Sequence, residues 1–315
     1  MVQSTIISPE TIPDGDEITF TDSTYFINFG RDASLPSPES VMRRALKTNP
    51  KHDPSAHIQV PVRFPRCGLL VKYGYEPRVS IAEGRTLRAL REAAIKVPVP
   101  EIYGWKKEGR RVFLYMEDVG CTTTLEYQWD ILKLRDRAGI CKQLKAILGD
   151  LRRLKQPPGQ ASIGNICGGP LNCVVLTSGR LPAAGPFSAA NPLEQFYNWI
   201  SKMTEYGIGN LLPSIDKNEI PDFFRDHLPS QAEIVFTHAD LHPSNILISI
   251  SSPTRVVAIV DWGQAGWYPD FWEYCKAMYT SDYESEWATK YIPLFLDKPA
   301  EGVEAFEYYA EIFGH

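Results

Sequence analysis

Phe236-Thr237-His238-Ala239-Asp240-Leu241-His242-Pro243-Ser244-Asn245-Ile246-Leu247, followed from Val256 to Val260 by a short apolar run that ends in Asp261-Trp262-Gly263, sets an acid, an amide and a second acid at the ends of short apolar strands. Asp, Pro, Ser and Asn are turn formers in their own right, so Asp240 and Asn245 taken alone describe a turn. Asp261 resists that reading, because an acid closing an apolar strand is partly desolvated and needs a counter-charge. Phosphoryl transfer from a nucleotide needs divalent metal held by oxygen ligands, a cation on the non-transferring phosphates, and an acceptor hydroxyl beside a carboxylate. Asn245 as a neutral ligand and Asp261 as an anionic one suit octahedral Mg²⁺ that keeps some of its waters. Asp240 would orient the hydroxyl and take its proton late, since an ordinary aspartate is a weak base.

The missing cation is sought on the N-terminal side. From Ile58 the pattern alternates through Val60, Val62 and Phe64, turns at Pro65-Arg66-Cys67-Gly68, and resumes as Leu69-Leu70-Val71, which predicts a hairpin with Lys72 at the end of its second strand. Pro77 then opens a predicted helix with Val79, Ala82, Leu87, Leu90 and Ala94 on one face and Glu83 in its first turns. An extended segment from Val97 to Trp105 and a strand from Val112 to Met116 complete a small α+β lobe. Lys72 is expected to reach the α- and β-phosphates, and Glu83 to hold its ammonium. Before this lobe, residues 1–36 read as a surface arm with one strand-like or anchoring segment, Tyr25 to Phe29, and Ser37-Pro38-Glu39 starts a helix that Asn49-Pro50 stops.

Glu117-Asp118-Val119-Gly120 is a polar break and the expected hinge. Helices are expected over Leu132 to Leu154, Asn191 to Tyr206, 219–227, Phe271 to Tyr279, Tyr283 to Lys290 and Glu301 to Ile312, with strands over Glu233 to Thr237, Asn245 to Ile250 and Val256 to Val260. The loop-rich stretch 157–190 is expected to wrap this part of the chain. The expected division is an N-terminal nucleotide-binding lobe with its extension over 1–118 and a mainly helical catalytic and substrate lobe over 119–315.

The composition, 43% hydrophobic and 23% charged, is that of an ordinary globular protein. A net charge of −5 with a pI near 5.8 leaves no polyanion footprint, so nucleic acid is not an expected partner. The polar N-terminus has no apolar targeting core, and no apolar run approaches the ~20 residues of a membrane helix. A soluble, cytoplasmic protein is expected. Cys67, Cys121, Cys141, Cys167, Cys173 and Cys275 lack paired ligand spacing and read as reduced structural thiols.

His238-Ala239-Asp240-Leu241-His242-Pro243-Ser244-Asn245 with Ile259-Val260-Asp261-Trp262 resembles the catalytic and metal-binding motifs of the aminoglycoside phosphotransferase and choline kinase group of the protein-kinase-like fold. Val71-Lys72-Tyr73-Gly74, Ala82-Glu83-Gly84-Arg85-Thr86-Leu87, Pro98-Val99-Pro100 and Tyr115-Met116-Glu117 extend the resemblance over roughly residues 58–280, and Ala265 to Tyr274 is similar to its fungal branch. The resemblance implies a bilobal fold, with an antiparallel-sheet N-lobe and a larger helical C-lobe, and an ATP- and Mg²⁺-dependent phosphotransferase acting on a hydroxyl of a small molecule. It makes Asp240 the base, Asn245 and Asp261 the metal ligands, Lys72 the phosphate-binding lysine and Glu83 its partner. Met116, Glu117 and Val119 fall at the linker that meets the adenine edge, and His238 becomes a scaffold residue.

Two departures stand out: Ala239 occupies a position where the family more often has glycine, and no glycine-rich loop precedes Lys72. The second supports an alternative, a catalytically inactive or repurposed relative that binds a nucleotide or metabolite. A protein kinase is disfavoured, because helix-forming sequence follows Asp261-Trp262-Gly263 without room for an activation loop. His242 reads as a loop-packing residue, Glu273 as a buried anchor, and Trp262, Trp267 and Trp272 as core. Asp282, Glu284, Glu286, Trp287, Glu304, Glu307 and Tyr308 would suit a cationic amine acceptor, although a solvated acidic face is the simpler account.

Overall fold

In the computed structural model, which describes residues 4–49, 53, 59–93, 95–177, 181–188, 190–211 and 222–313, strand alternation builds the smaller lobe. The chain runs through β1 (Thr5–Ile6), β2 (Glu17–Thr19), α1 (Thr24–Phe29), α2 (Pro38–Thr48), β3 (Val62–Phe64), β4 (Leu69–Tyr75), α3 (Ile81–Glu92), β5 (Ile102–Glu108) and β6 (Arg111–Glu117). Strands β2-β5-β6-β4-β3, in that order, form one antiparallel sheet. Because side chains alternate across a strand, Leu69, Val71 and Tyr73 join Phe113 and Tyr115 in a core closed by Tyr25 and Phe26 of α1 and Val41 and Ala45 of α2. Lys72 therefore lies on the opposite face, in register with Leu114 and towards α3.

Several sequence expectations shift here. Lys72 sits mid-strand, since β4 continues to Tyr75. Tyr25 to Phe29 is helical: strand alternation would bury Ile27, which is 71% exposed, whereas Tyr25 and Phe29 at i,i+4 bring their rings to 5.2 Å. Helix α3 starts at Ile81, with Ser80 in the N-cap position, so Pro77 belongs to the preceding turn. Ser37 does cap α2, its hydroxyl accepting from the Ser40 N–H. Ile58 and Ala94 lie outside the described residues.

The larger lobe continues with β7 (Thr122–Thr124), α4 (Leu125–Gln128), α5 (Leu134–Leu151), β8 (Leu154–Lys155), α6 (Pro192–Leu211), β9 (Ile234–Thr237), β10 (Ile246–Ser249), β11 (Val256–Ile259), β12 (Gly266–Pro269), α7 (Trp272–Tyr279), α8 (Ile292–Phe295) and α9 (Val303–Ile312). β10 is paired between β7 and β11, and β9 pairs with β12, a short strand that its Gly and Pro ends conceal in the sequence. Residues 219–221 of one expected helix lie outside the described residues, and the remainder holds only a 3-10 turn at Arg225–His227. Over 283–290, helical backbone begins only at Glu286 and passes into a π turn over Trp287–Tyr291 that buries Trp287 and Tyr291, both edge-on to Trp129 at 4.8 and 4.7 Å. Trp262, Trp267 and Trp272 are core residues. Among the described residues no helix is long and apolar enough to cross a membrane, and all six cysteines are free.

The N-terminal arm touches both lobes. β2 edges the five-stranded sheet, while β1 pairs in parallel with β8 after α5. Ile7 and Ile12 are buried in the same apolar cluster as Leu148 and Leu151. Ile7→Ala is expected to cost about 2–4 kcal/mol, the range for removing a buried branched side chain, read as a lower urea midpoint at unchanged slope; a midpoint equal to the parent's would show the arm to be dispensable.

Candidate active site

The loop between β9 and β10 is held by its own backbone and one distant acid. His238 is fully buried; its Nδ1 accepts the Asp240 N–H at 3.2 Å, which leaves Nε2–H to donate to the Val260 carbonyl at 3.1 Å. Ala239 takes φ +62°, a left-handed conformation that glycine adopts with less strain. It is stabilised there by Glu273 of α7, whose buried carboxylate accepts the His238 N–H at 2.7 Å and the Ala239 N–H at 3.1 Å. The expected anchoring role of Glu273 is thus carried by backbone contacts. His242 closes the turn by accepting the Ser244 N–H at 3.2 Å and meeting the Ser244 hydroxyl at 2.8 Å.

Asn245 is oriented by Asp240. Its Nδ2 donates to the Asp240 carbonyl at 2.9 Å and to Asp240 Oδ2 at 3.1 Å, which leaves Asn245 Oδ1 without a protein donor among the described residues. Asp261 follows β11 in a left-handed conformation, φ 64° and ψ 60°, which turns its carboxylate out of the strand; its side chain is 46% exposed. Lys72 reaches it across the cleft. Lys72 Nζ stands 2.7 Å from Asp261 Oδ1 and 2.9 and 2.8 Å from the two oxygens of Glu83, a buried residue in the first turn of α3.

The charges in this cluster set one another. Burial works against the Lys72 ammonium, but Glu83 and Asp261 outweigh it and raise its pKa. Burial dominates at Glu83 and raises its pKa, with Lys72 opposing. At Asp261 burial again opposes ionisation, yet Lys72 and the Gly263 N–H hold the pKa below the ordinary carboxylate value. A depressed carboxylate contributes stability above its unfolded pKa of about 4 and loses it as pH falls through the folded value. Asp261→Asn, which tolerates the same backbone, is therefore expected to be less stable than the parent at pH 7, the gap closing towards pH 3. Melting curves across that range check this; a gap independent of pH would refute it.

Seven of the eight residues singled out by sequence, Lys72, Glu83, Met116, Glu117, Val119, Asn245 and Asp261, line one cavity of about 610 Å³ between the lobes. Asp240 lines an adjoining cavity of about 390 Å³, which shares Pro61, Lys72 and Asp261 with the first. Glu117 Oε2 accepts the Glu101 N–H at 3.2 Å, and the Asp118 N–H donates to the Gly68 carbonyl at 2.9 Å, so the linker is tied to the β3–β4 turn. That turn is a 3-10 turn over Pro65–Cys67, with Gly68 left-handed at φ 57°.

Other lining residues carried no sequence signal. Asn172 bridges the lobes by donating to the Pro77 carbonyl at 2.9 Å and the Gly263 carbonyl at 3.0 Å, and Gln264 accepts the Val174 N–H at 2.8 Å. Asn172 sits in an irregular segment and Gln264 in a three-residue 3-10 turn, neither long enough to show periodicity. Of the acidic aromatic residues, Glu286 pairs with Arg137 and Lys290, Trp287 is core, and Tyr308 stacks on Phe224.

The sequence model of the phosphotransferase enzyme family matches residues 72–304. No curated protein matches the chain in sequence. Among solved structures, aminoglycoside-3'-phosphotransferase of type VIII superposes with a TM-score of 0.50 at 14% identity, over 87% of this chain and 98% of its own. Aminoglycoside phosphotransferase APH(3'')-Id from Streptomyces rimosus, in complex with ADP and streptomycin, gives 0.51 at 13% identity, over 89% of this chain and 100% of its own. At such identities the likeness is one of fold: the same kinase-like architecture, with a five-stranded antiparallel sheet as its N-lobe.

Proposed function

The chain belongs to the phosphotransferase enzyme family, and from that premise we propose that it is an ATP- and Mg²⁺-dependent kinase moving the γ-phosphate to a hydroxyl of a small molecule. The observation that carries this reading is the contact of Lys72 with both Glu83 and Asp261, which joins a sheet lysine to the strand-end acid beside the Asp240–Asn245 loop. A lone surface lysine has no reason to be drawn between two carboxylates, one of them buried.

In this reading Lys72 binds the α- and β-phosphates, and Glu83 keeps its ammonium in place. Met116, Glu117 and Val119 meet the adenine edge, and the boundary between lobes falls at 118/119. Asp240 orients the acceptor hydroxyl and receives its proton. Asn245 and Asp261 fit Mg²⁺, because the donor set is hard oxygen and, among the described residues, Asn245 Oδ1 is left without a protein donor while its Nδ2 is committed to Asp240. Bound Mg²⁺ supplies charge neutralisation on the phosphoryl oxygens.

Thermal-shift titration with ATP, with and without Mg²⁺, tests the nucleotide half. Ligand at 100 times its Kd stabilises by about 2.7 kcal/mol, so a rise in Tm that requires Mg²⁺ is expected. A γ-phosphate transfer screen over amine, sugar and aminoglycoside acceptors, read as mass gain of the acceptor, tests the chemistry. No response to any nucleotide would instead favour the inactive, repurposed relative.

A further inference from the structure

The cavity beside Asp240 holds one charge that phosphoryl transfer leaves unused. With Asp240 given to the acceptor hydroxyl, Asp261 to metal and Lys72 to phosphate, the remaining lining is Arg78 together with neutral and apolar side chains that include Val79, Asn172, Val174, Thr177 and Gln264. Among the described residues no other carboxylate lines this cavity, and Arg78, which is exposed, has no ion-pair partner. The neutral groups are committed in a way that leaves a definite pattern. Gln264 Oε1 accepts from the Val174 N–H at 2.8 Å and from the fully buried Lys276 Nζ at 3.3 Å, so that among the described residues Gln264 Nε2 remains as a donor. Asn172 Nδ2 is committed to the Pro77 and Gly263 carbonyls, so Asn172 Oδ1 remains as an acceptor.

We propose that the acceptor is a small hydroxy compound bearing an anionic group, a carboxylate or a phosphate monoester, engaged by Arg78 and Gln264 Nε2 while its hydroxyl lies at Asp240. This rests on the phosphotransferase reading and narrows it. A cationic acceptor would meet a guanidinium with no carboxylate left to offset it, whereas an anion gains charge-assisted, bidentate hydrogen bonds. The acidic aromatic cavity that would suit an amine, lined by Tyr279, Tyr283, Glu307 and Glu311, shares no residue with the one beside Asp240. At about 390 Å³ the Asp240 cavity is also at the small end of ligand clefts, which run to about 1,000 Å³. In the reaction the acceptor oxygen forms a bond to the γ-phosphorus, the bond to the β–γ bridging oxygen breaks with its electron pair leaving on ADP, and the hydroxyl proton passes to Asp240.

The test uses the full chain with Mg²⁺ and ATP, reading both ADP release and acceptor mass. Glycerate, shikimate and glycerol 3-phosphate are the anionic probes, glycerol and glucose the neutral ones, and ethanolamine, choline and streptomycin the cationic ones. Turnover is expected for an anionic probe above all neutral and cationic ones, the carboxylates and the phosphate ester telling the two anion types apart. Arg78→Ala is expected to raise KM for that probe by about 10- to 100-fold, the worth of a hydrogen bond to a charged group, with Mg²⁺–ATP affinity retained and Arg78→Lys restoring part of the loss. Neutral or cationic probes turned over as well as the anionic ones, or an unchanged KM in Arg78→Ala, would overturn the inference. Mg²⁺–ATP binding with no turnover of any anionic probe overturns this inference alone, while failure to bind Mg²⁺–ATP overturns the phosphotransferase reading beneath it.

Discussion

Asp240→Ala is expected to lower kcat by about 10²- to 10⁴-fold, the usual worth of a positioned acid or base, while Mg²⁺–ATP affinity stays within about twofold, a change below ~0.4 kcal/mol. The split follows from the hydrogen bonding. Asp240 is outside the Lys72, Glu83 and Asp261 cluster, and among the described residues the one side-chain bond it forms is the acceptance from Asn245 Nδ2. Its backbone carbonyl still accepts from Asn245 in the variant, so the amide stays oriented. Loss of turnover should therefore come without loss of nucleotide binding. Steady-state ADP release with the acceptor identified by the transfer screen, alongside thermal-shift titration of Mg²⁺–ATP, separates the two quantities. Unchanged kcat would remove Asp240 from the chemistry.

Glu273→Ala is expected to be the most destabilising single change at the site, at about 3–5 kcal/mol, the range for breaking one partner out of a buried charged network. Two buried N–H groups, those of His238 and Ala239, lose their acceptor together. Arg152 loses a nearby charge as well: burial already pushes its guanidinium pKa down, and Glu273 is the first of the acids opposing that shift. Because Ala239 is held at positive φ, releasing Glu273 also frees the backbone immediately before Asp240. Turnover should fall in the folded fraction, with Mg²⁺–ATP affinity retained. Glu273→Gln, which keeps one acceptor oxygen, should recover part of both. Urea unfolding and kcat measured on the same samples check the pair; a variant with the parent's midpoint would show that water replaces the carboxylate at no cost.

The apolar runs Leu69-Leu70-Val71 and Val112 to Met116 predict the second strand of the hairpin and the strand after it, and helical spacing predicts α5, because those patterns record burial; the alternation from Ile58 holds only over β3, Val62–Phe64, since Val60 is 68% exposed. Tyr25 to Phe29 is the anchoring segment, with Tyr25 and Phe26 in the core, but as a helix and not a strand: an aromatic cluster of this length satisfies either period until the exposure of Ile27 decides it. β12 was hidden because four residues bounded by Gly and Pro carry too little pattern to read. Asn172 and Gln264 are invisible for a different reason: their roles exist only when distant groups arrive beside them, the Pro77 and Gly263 carbonyls for Asn172 and the Val174 N–H for Gln264.

What the sequence determined by itself is local. The spacing of Asp240, Asn245 and Asp261 around two short strands, and of Glu83 in the first turn of a helix, is set within a few residues by turn and strand geometry. Tertiary structure alone decided that Lys72 meets an acid 189 residues further on, and that Ala239 is forced into a glycine-like conformation by a carboxylate on α7. The reason is physical. A charge buried at a lobe interface is stable only where its partner is delivered, and delivery depends on how two sheets and a helix pack, not on the neighbours in the chain.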